Sequence, residues 1–195
     1  MLILDSHQKN HPDALQRPSF GWMDKLRRLK WNFARILFFR WIPVPLHDLR
    51  CWMLRRFGAR IGRNNFIYPD CRIWAPWLLE TEDVVTIGPR AEIYNPGGVY
   101  LGHHTIISQD AYLCGATHDY NSADFTYVKK LIRTDAYAWI CARATVLPGV
   151  HCHQGAVLGA SSVTSRDLEA WTVYAGNPAR AVRPRSQAIA QSTLS

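Results

Sequence analysis

An aliphatic side chain returns every six residues along most of this chain. From Ile61 the beat runs through Ile67, Ile73 and Leu79, slips by two, and resumes at Ile87 and Ile93. It slips by two again and continues through Leu101, Ile107 and Leu113; after an interruption it returns at Ile140, Val146, Cys152 and Leu158. Glycine follows directly at Gly62, Gly88, Gly102 and Gly159. A second register stays in phase with the first. Four residues past most beats stands a small or compact residue: Asn65, Cys71, Ala91, Thr105, Ala111, Thr117, Ala144, Ala156 and Ser162, with Trp77 and Val150 as exceptions.

A period of six is neither the 3.6 of an amphipathic helix nor the two of a plain strand. It fits an all-β solenoid, a triangular parallel β-helix in which each hexapeptide supplies one flat side and one corner. The aliphatic residue points into the prism, and the small residue lies where the corner brings backbones together. The glycine after the beat is expected to relieve the turn by taking a positive φ. A sandwich of short strands spaces its turns irregularly at roughly 8–12 residues, and does not hold two registers in phase from Ile61 to Ser162.

The charge is uneven. Of 23 Lys and Arg and 15 Asp and Glu, eleven basic and two acidic residues fall between Gly21 and Arg63, which leaves the remainder close to neutral. The basic excess therefore belongs to one N-terminal segment, and a nucleic-acid partner is not expected. Five scattered cysteines form no C-x-x-C pair and read as reduced thiols of a cytoplasmic protein. The opening MLILDSHQKN carries no secretory pattern. The most apolar stretch, Trp31 to Leu46, is broken by Arg35, Arg40, Pro43 and Pro45, and a span needs roughly 18 unbroken apolar residues.

Particular motifs refine this reading: IISQDAYLC around Ser108, Thr117-His118-Asp119-Tyr120, Ala138-Trp139-Ile140, Val146-Leu147-Pro148-Gly149-Val150 and Ala175-Gly176-Asn177-Pro178-Ala179-Arg180. Over about residues 59–183 the chain resembles the hexapeptide-repeat acyltransferases, whose coil is left-handed. Among the sugar O-acetyltransferases of that family it is most similar to the colanic-acid-biosynthesis branch. Three places depart from the family pattern: Thr134-Asp135 and Cys152-His153 stand where Ile-Gly is usual, and Ser161 stands at a common glycine.

The resemblance implies acetyl transfer from acetyl-CoA to a sugar hydroxyl, in exopolysaccharide or related glycan biosynthesis. A neutral imidazole suits the removal of the acceptor proton. His118 is the histidine at the end of a coil beside the polar, aromatic and basic excursion 119–131, and it occupies the family's catalytic position. From its place in the sequence alone it could equally be a corner histidine facing solvent. Asp119 is adjacent, but side chains of neighbouring strand residues diverge, so what orients His118 stays open. The resemblance further assigns Asn95 and Trp139 to acceptor binding, the main chain at Ala142 to the oxyanion and that at Ala160 to pantetheine, and Arg166, Arg180 and Arg183 to the CoA phosphates. Asn95 could instead be a turn residue, Trp139 plain packing, and each arginine a solvated charge.

His103-His104 and His151-Cys152-His153 invite a metal reading. Zinc hydration chemistry on such a coil needs three imidazoles and an open position. The second-ligand spacing H-x-x-x-x-H fails, because Ala123 stands five residues after His118. No metal is expected in the transfer.

Three units follow: an appendage 1–58, a β-helix 59–176 carrying the loop, and a tail 177–195. Within the appendage, Gly21 to Phe39 and Pro45 to Phe57 read as two short helices around Pro43-Val44-Pro45. Residues 20–58 can cap the open end of the coil, or lay a basic, aromatic surface on an anionic membrane, which would make the protein peripheral on the inner membrane surface. The family assembles as trimers with sites between subunits, so a homotrimer is expected. A non-catalytic scaffold, or transfer to a non-sugar acceptor, are the competing readings.

Overall fold

Short strands, all but the last of two or three residues and most ending on a buried inward side chain, alternate with tight corners and stack into three parallel sheets. The computed structural model describes residues 21–187; the expectations for 1–20 and 188–195 lie outside the described residues. The first side of the prism is Arg60–Ile61, Leu79–Thr81, Val99–Leu101, Ile132–Thr134 and His151–Cys152. The second is Phe66–Ile67, Thr86–Ile87, Ile106–Ile107, Trp139–Ile140, Val157–Leu158 and Thr172–Gly176. The third is Arg72–Ile73, Glu92–Tyr94, Tyr112–Cys114, Thr145–Val146 and Val163–Thr164. The molecule is thus a left-handed parallel β-helix of about six turns with N-terminal helices.

Column by column, the inward positions are those of the six-residue beat: Ile67, Ile87, Ile107, Ile140 and Leu158 fill the second side, all without exposure. Each such side chain contributes about 1.5–3 kcal/mol through burial. The phase differs at one place. Ile61 pairs with Thr81, and Thr81 with Leu101, so Thr81 holds the fourth inward position rather than Leu79. Leu79 is buried as well, because residues two apart in a strand share a face. The first two-residue slip is therefore a corner insertion lying before Thr81.

The glycines have a different purpose from the one expected. Gly62, Gly88, Gly102 and Gly159 lack positive φ; the left-handed corners are instead at Asn64, Val84, Arg90, His104, Asp110, Tyr137, Arg143 and Ser161. A Cβ on Gly62 would lie 2.4 Å from the Glu82 main chain, and one on Gly102 would lie 2.7 Å from Asp135. What these positions require is room for the neighbouring turn. Ser161, at φ 57°, occupies a corner that glycine would enter without strain.

Successive turns are also joined by charge. Arg60 pairs with Glu80, Arg63 with Asp83, and Arg90 with Asp110, each partner twenty residues on and one turn along.

Helix α1 (Trp22–Leu37) and helix α2 (His47–Arg56) close the first turn. Trp31, Phe39, Met53 and Leu54 are buried, and the Trp31 indole donates to the Ile73 carbonyl at 2.7 Å. Arg50 is 0% exposed. Its guanidinium donates to the carbonyls of Ile42 (3.0 Å), Pro43 (2.7 Å), Val44 and Ile67, so the interhelical turn is tied to the coil. Capping is thus realised. The tail is not loose where it is described: Ala179–Pro184 folds back antiparallel onto Thr172–Gly176.

Candidate active site

The excursion after the third side is an ordered hairpin rather than an irregular loop. Ala116–His118 pairs antiparallel with Tyr127–Lys129, placing His118 opposite Tyr127. Regular register resumes at Ile132, which pairs with Val99 as though nothing intervened.

His118 is exposed at the hairpin's end, and its Nδ1 lies 2.7 Å from the Phe125 carbonyl oxygen. A carbonyl only accepts, so Nδ1 carries a proton and the lone pair of the neutral ring is on Nε2. Phe125 reaches this position with φ at 46°, a left-handed conformation unusual for a bulky residue. The imidazole also meets the Tyr127 ring, centroids 5.4 Å apart. Asp119 is engaged elsewhere, its Oδ1 accepting the Asn121 N–H at 2.9 Å in an Asx-turn that shapes the hairpin tip.

Sequence reasoning missed the support beneath the histidine. The Tyr127 and Tyr94 hydroxyls are 3.0 Å apart, Tyr94 packs edge-on against Trp74 (5.5 Å), and the Arg28 guanidinium lies over Trp74 at 4.7 Å. Burial, reinforced by the bond from Tyr94, pushes the Tyr127 hydroxyl well above its ordinary pKa. An aromatic series thus runs from α1 to the catalytic candidate. Its members sit outside the six-residue beat, which is why periodicity gave no sign of them.

Trp139, Ala142, Ala160, Arg180 and Arg183 belong to the second side and the corner after it, whereas Arg166, like His118, follows the third side. Trp139 projects from the second side, part-exposed, and its indole donates to the Ser108 hydroxyl at 2.9 Å. Ala142 and Ala160 stack at the corner that follows, where the Ser161 N–H donates to the Ala142 carbonyl at 2.9 Å. The Ala142 N–H makes no hydrogen bond among the described residues. Arg180 and Arg183 are exposed on the returning strand of the second sheet, and Arg166 is exposed on the last turn. None of the three arginines forms an ion pair among the described residues. Sequence reasoning also missed Arg185. It donates to the carbonyls of Tyr137 (2.7 Å) and Gly155 (3.0 Å) and fastens the end of the tail to the coil.

Asn95 is turned into the coil. Its side chain is fully buried, accepting from the Ala75 N–H at 3.0 Å and donating to the Ala75 carbonyl at 2.9 Å. It braces two turns at a corner, in line with its alternative reading as a turn residue.

His118 leaves the prism after the third side, whereas Trp139, Ala142 and Ala160 belong to the second side and the corner after it. One chain therefore carries the two halves of the expected site on different edges.

Comparison with known proteins completes the picture. No family model matches the chain. WcaF of Escherichia coli K12, named for an acetyltransferase role in colanic acid biosynthesis, is 37% identical over 155 residues, covering 80% of this chain and 85% of its own. Among solved structures, a hexapeptide-repeat acetyltransferase of Vibrio cholerae complexed with acetyl-CoA superposes with a TM-score of 0.75 at 17% identity, over 84% of this chain and 89% of that one. A maltose O-acetyltransferase of Clostridium difficile superposes with a TM-score of 0.71 at 17% identity, over 86% and 90%.

Proposed function

The chain belongs to the hexapeptide-repeat acetyltransferases, and on that footing we propose that it moves the acetyl group of acetyl-CoA onto a sugar hydroxyl during glycan assembly, with His118 as general base. The observation that carries this reading is the bond between His118 Nδ1–H and the Phe125 carbonyl, which puts the lone pair of the neutral ring on Nε2. The acetyl donor is supported by the likeness to an enzyme complexed with acetyl-CoA. The glycan acceptor is supported by the polysaccharide role in the name of WcaF and by the maltose enzyme.

In this mechanism Nε2 accepts the hydroxyl proton as the acceptor oxygen bonds to the thioester carbonyl carbon. The Ala142 N–H stabilises the resulting oxyanion, a contribution of about 3–4 kcal/mol for such a donor. The C–S bond then breaks, and the imidazolium returns its proton to the departing thiolate. Trp139 forms a wall of the slot, the Ala160 main chain meets pantetheine, and Arg166, Arg180 and Arg183 bind the CoA phosphates. Because the two halves of the site lie on different edges, the base of one chain works with the CoA groove of a neighbour. A homotrimer with three sites meets that requirement.

The appendage adds a membrane contact to this reading. On α1 the residues Trp22, Leu26, Leu29, Phe33 and Ile36 recur at helical spacing and all point outward, Trp22 at 72% and Phe33 at 64% exposure. Lys25, Arg27 and Lys30 are interspersed, and Trp41 and Trp52 extend the surface. Such a face, apolar outward with a cationic rim, suits the interface of an anionic bilayer. No described helix is long and apolar enough to cross a membrane. This would hold the enzyme on the cytoplasmic side, beside lipid-linked acceptors.

The test is thiol release from acetyl-CoA with a panel of sugars, amino sugars and nucleotide sugars, wild type beside His118→Ala. Sugar-dependent release that falls by at least about 100-fold in the variant is the expected result. Release untouched by the substitution would remove His118 from the mechanism, and failure to bind CoA would favour a scaffold.

A further inference from the structure

Two of the places where the chain departs from the family's Ile-Gly pattern, at Asp135 and His153, meet in space. Thr134 pairs with Cys152 across adjacent turns of the first side, and both of those residues face inward. Their outward neighbours Asp135, His151 and His153 are therefore drawn together. Asp135 Oδ2 is 2.9 Å from His151 Nε2 and 3.5 Å from His153 Nδ1, and the two imidazole centroids are 4.0 Å apart. All three potential ligand atoms lie within 4.8 Å of one another.

We propose that Asp135, His151 and His153 form a binding site for a divalent first-row transition ion, with Zn2+ the representative case, separate from the acetyl-transfer chemistry. The donor set, two imidazoles and one carboxylate, suits such ions. Bonds of about 2.0–2.2 Å place the ligand atoms of a tetrahedral ion about 3.3–3.6 Å apart; the 3.5 Å separation falls in that range, and the 2.9 Å one would open slightly on binding. His151 Nε2 is closed to solvent and faces Asp135 Oδ2 at 2.9 Å, so the two ligand atoms already converge on one spot. The carboxylate is held from its other side, since Asp135 Oδ1 accepts from Arg133 Nε at 3.0 Å; such outer bonds fix a ligand's orientation. The three side chains keep 26–43% exposure. A cleft lined by Glu82, Tyr100, Arg133 and Gln154 adjoins Asp135.

The parallel strand pair makes the site rigid. His151 begins the strand His151–Cys152 and His153 follows it directly, while Asp135 follows Ile132–Thr134. The Asp135 N–H donates to the Cys152 carbonyl at 2.8 Å and the His153 N–H to the Leu168 carbonyl at 2.9 Å, so main-chain bonds between turns hold both flanking ligands.

The experiment uses untagged full-length protein, stripped with chelator and titrated with Zn2+ calorimetrically at pH 7.5. One ion per chain is expected, weakened at least about tenfold by Asp135→Asn, by His151→Ala and by His153→Ala. Affinity should also fall at pH 5.5, because ligands must be deprotonated to bind. In case a substitution disturbs the coil, Co2+ absorption of the wild type reads the coordination directly: the intense bands of a four- or five-coordinate nitrogen and oxygen site support the proposal. The weak spectrum of hexaaqua Co2+, binding unchanged in the double variant His151→Ala/His153→Ala, or binding abolished instead by His103→Ala/His104→Ala, would overturn it.

Discussion

His118 and Phe125 face each other across the hairpin with 2.7 Å between the imidazole Nδ1 and the carbonyl oxygen. This contact sets the tautomer with a main-chain atom that no side-chain substitution can remove. Nitrogen-15 NMR of the free enzyme should therefore find the proton of neutral His118 on Nδ1. Replacing Asp119 by Asn should change kcat less than about threefold, against about 10²–10⁴ for His118→Ala. A large loss in the Asp119 variant would transfer the orienting role to that carboxylate.

Tyr127→Phe removes one hydroxyl from the Tyr94 pair and leaves the other part-buried without its partner. A cost of about 1–3 kcal/mol is expected, together with a several-fold drop in kcat as the hairpin loosens. The double variant with Tyr94→Phe should recover part of the stability, since neither hydroxyl is then stranded. Urea unfolding of the single and double variants measures the coupling.

Arg50 is a buried cation whose bonds go mainly to main-chain carbonyls. Arg50→Ala should destabilise by about 3–5 kcal/mol, because the carbonyls lose their donors and a cavity remains. Thermal unfolding followed by circular dichroism reads this. An unchanged midpoint would mean that the helices do not stabilise the first turn.

His104 gives a pH prediction. Burial first, and the neighbouring His103 second, lower its pKa, while its ring stacks on Tyr137 at 5.0 Å. The native state therefore binds fewer protons here than the unfolded state, whose imidazole titrates near 6.5. The contribution is complete above about pH 6.5 and declines as pH falls from there towards the lowered native pKa. His104→Asn, which suits the left-handed φ of 56°, should reduce that slope in denaturant titrations between pH 5 and 7.5. An identical slope in the variant would refute the assignment.

Vesicles test the outward face of α1. Binding to phosphatidylglycerol-containing liposomes, little binding to phosphatidylcholine alone, and loss of binding in Trp22→Ser/Phe33→Ser are expected, with release at high salt. If the substitutions instead change oligomeric state without affecting vesicles, the face belongs to a protein contact.

The prism was legible because a six-residue beat has few other physical solutions, and the beat positions are the buried core. Reading it position by position missed what depends on three dimensions. Leu79 and Thr81 are both inward on one strand, so a beat read from the hydrophobic member misplaces the register by two. Gly62 looks like a turn glycine but marks a close approach to Glu82 in the next turn. Asn95 carries a carboxamide suited to a ligand, yet that group is consumed by Ala75, twenty residues earlier in sequence and one turn away. The hairpin escaped notice because its three-residue strands are too short to show a pattern.

Because Ile132 resumes opposite Val99 whatever lies between, residues 115–131 behave as an insert in a socket. Lengthening or exchanging the insert shifts no layer of the stack. A lineage could change its acceptor by rewriting this one segment while the scaffold stayed fixed, and a designer could graft another hairpin at the same junction.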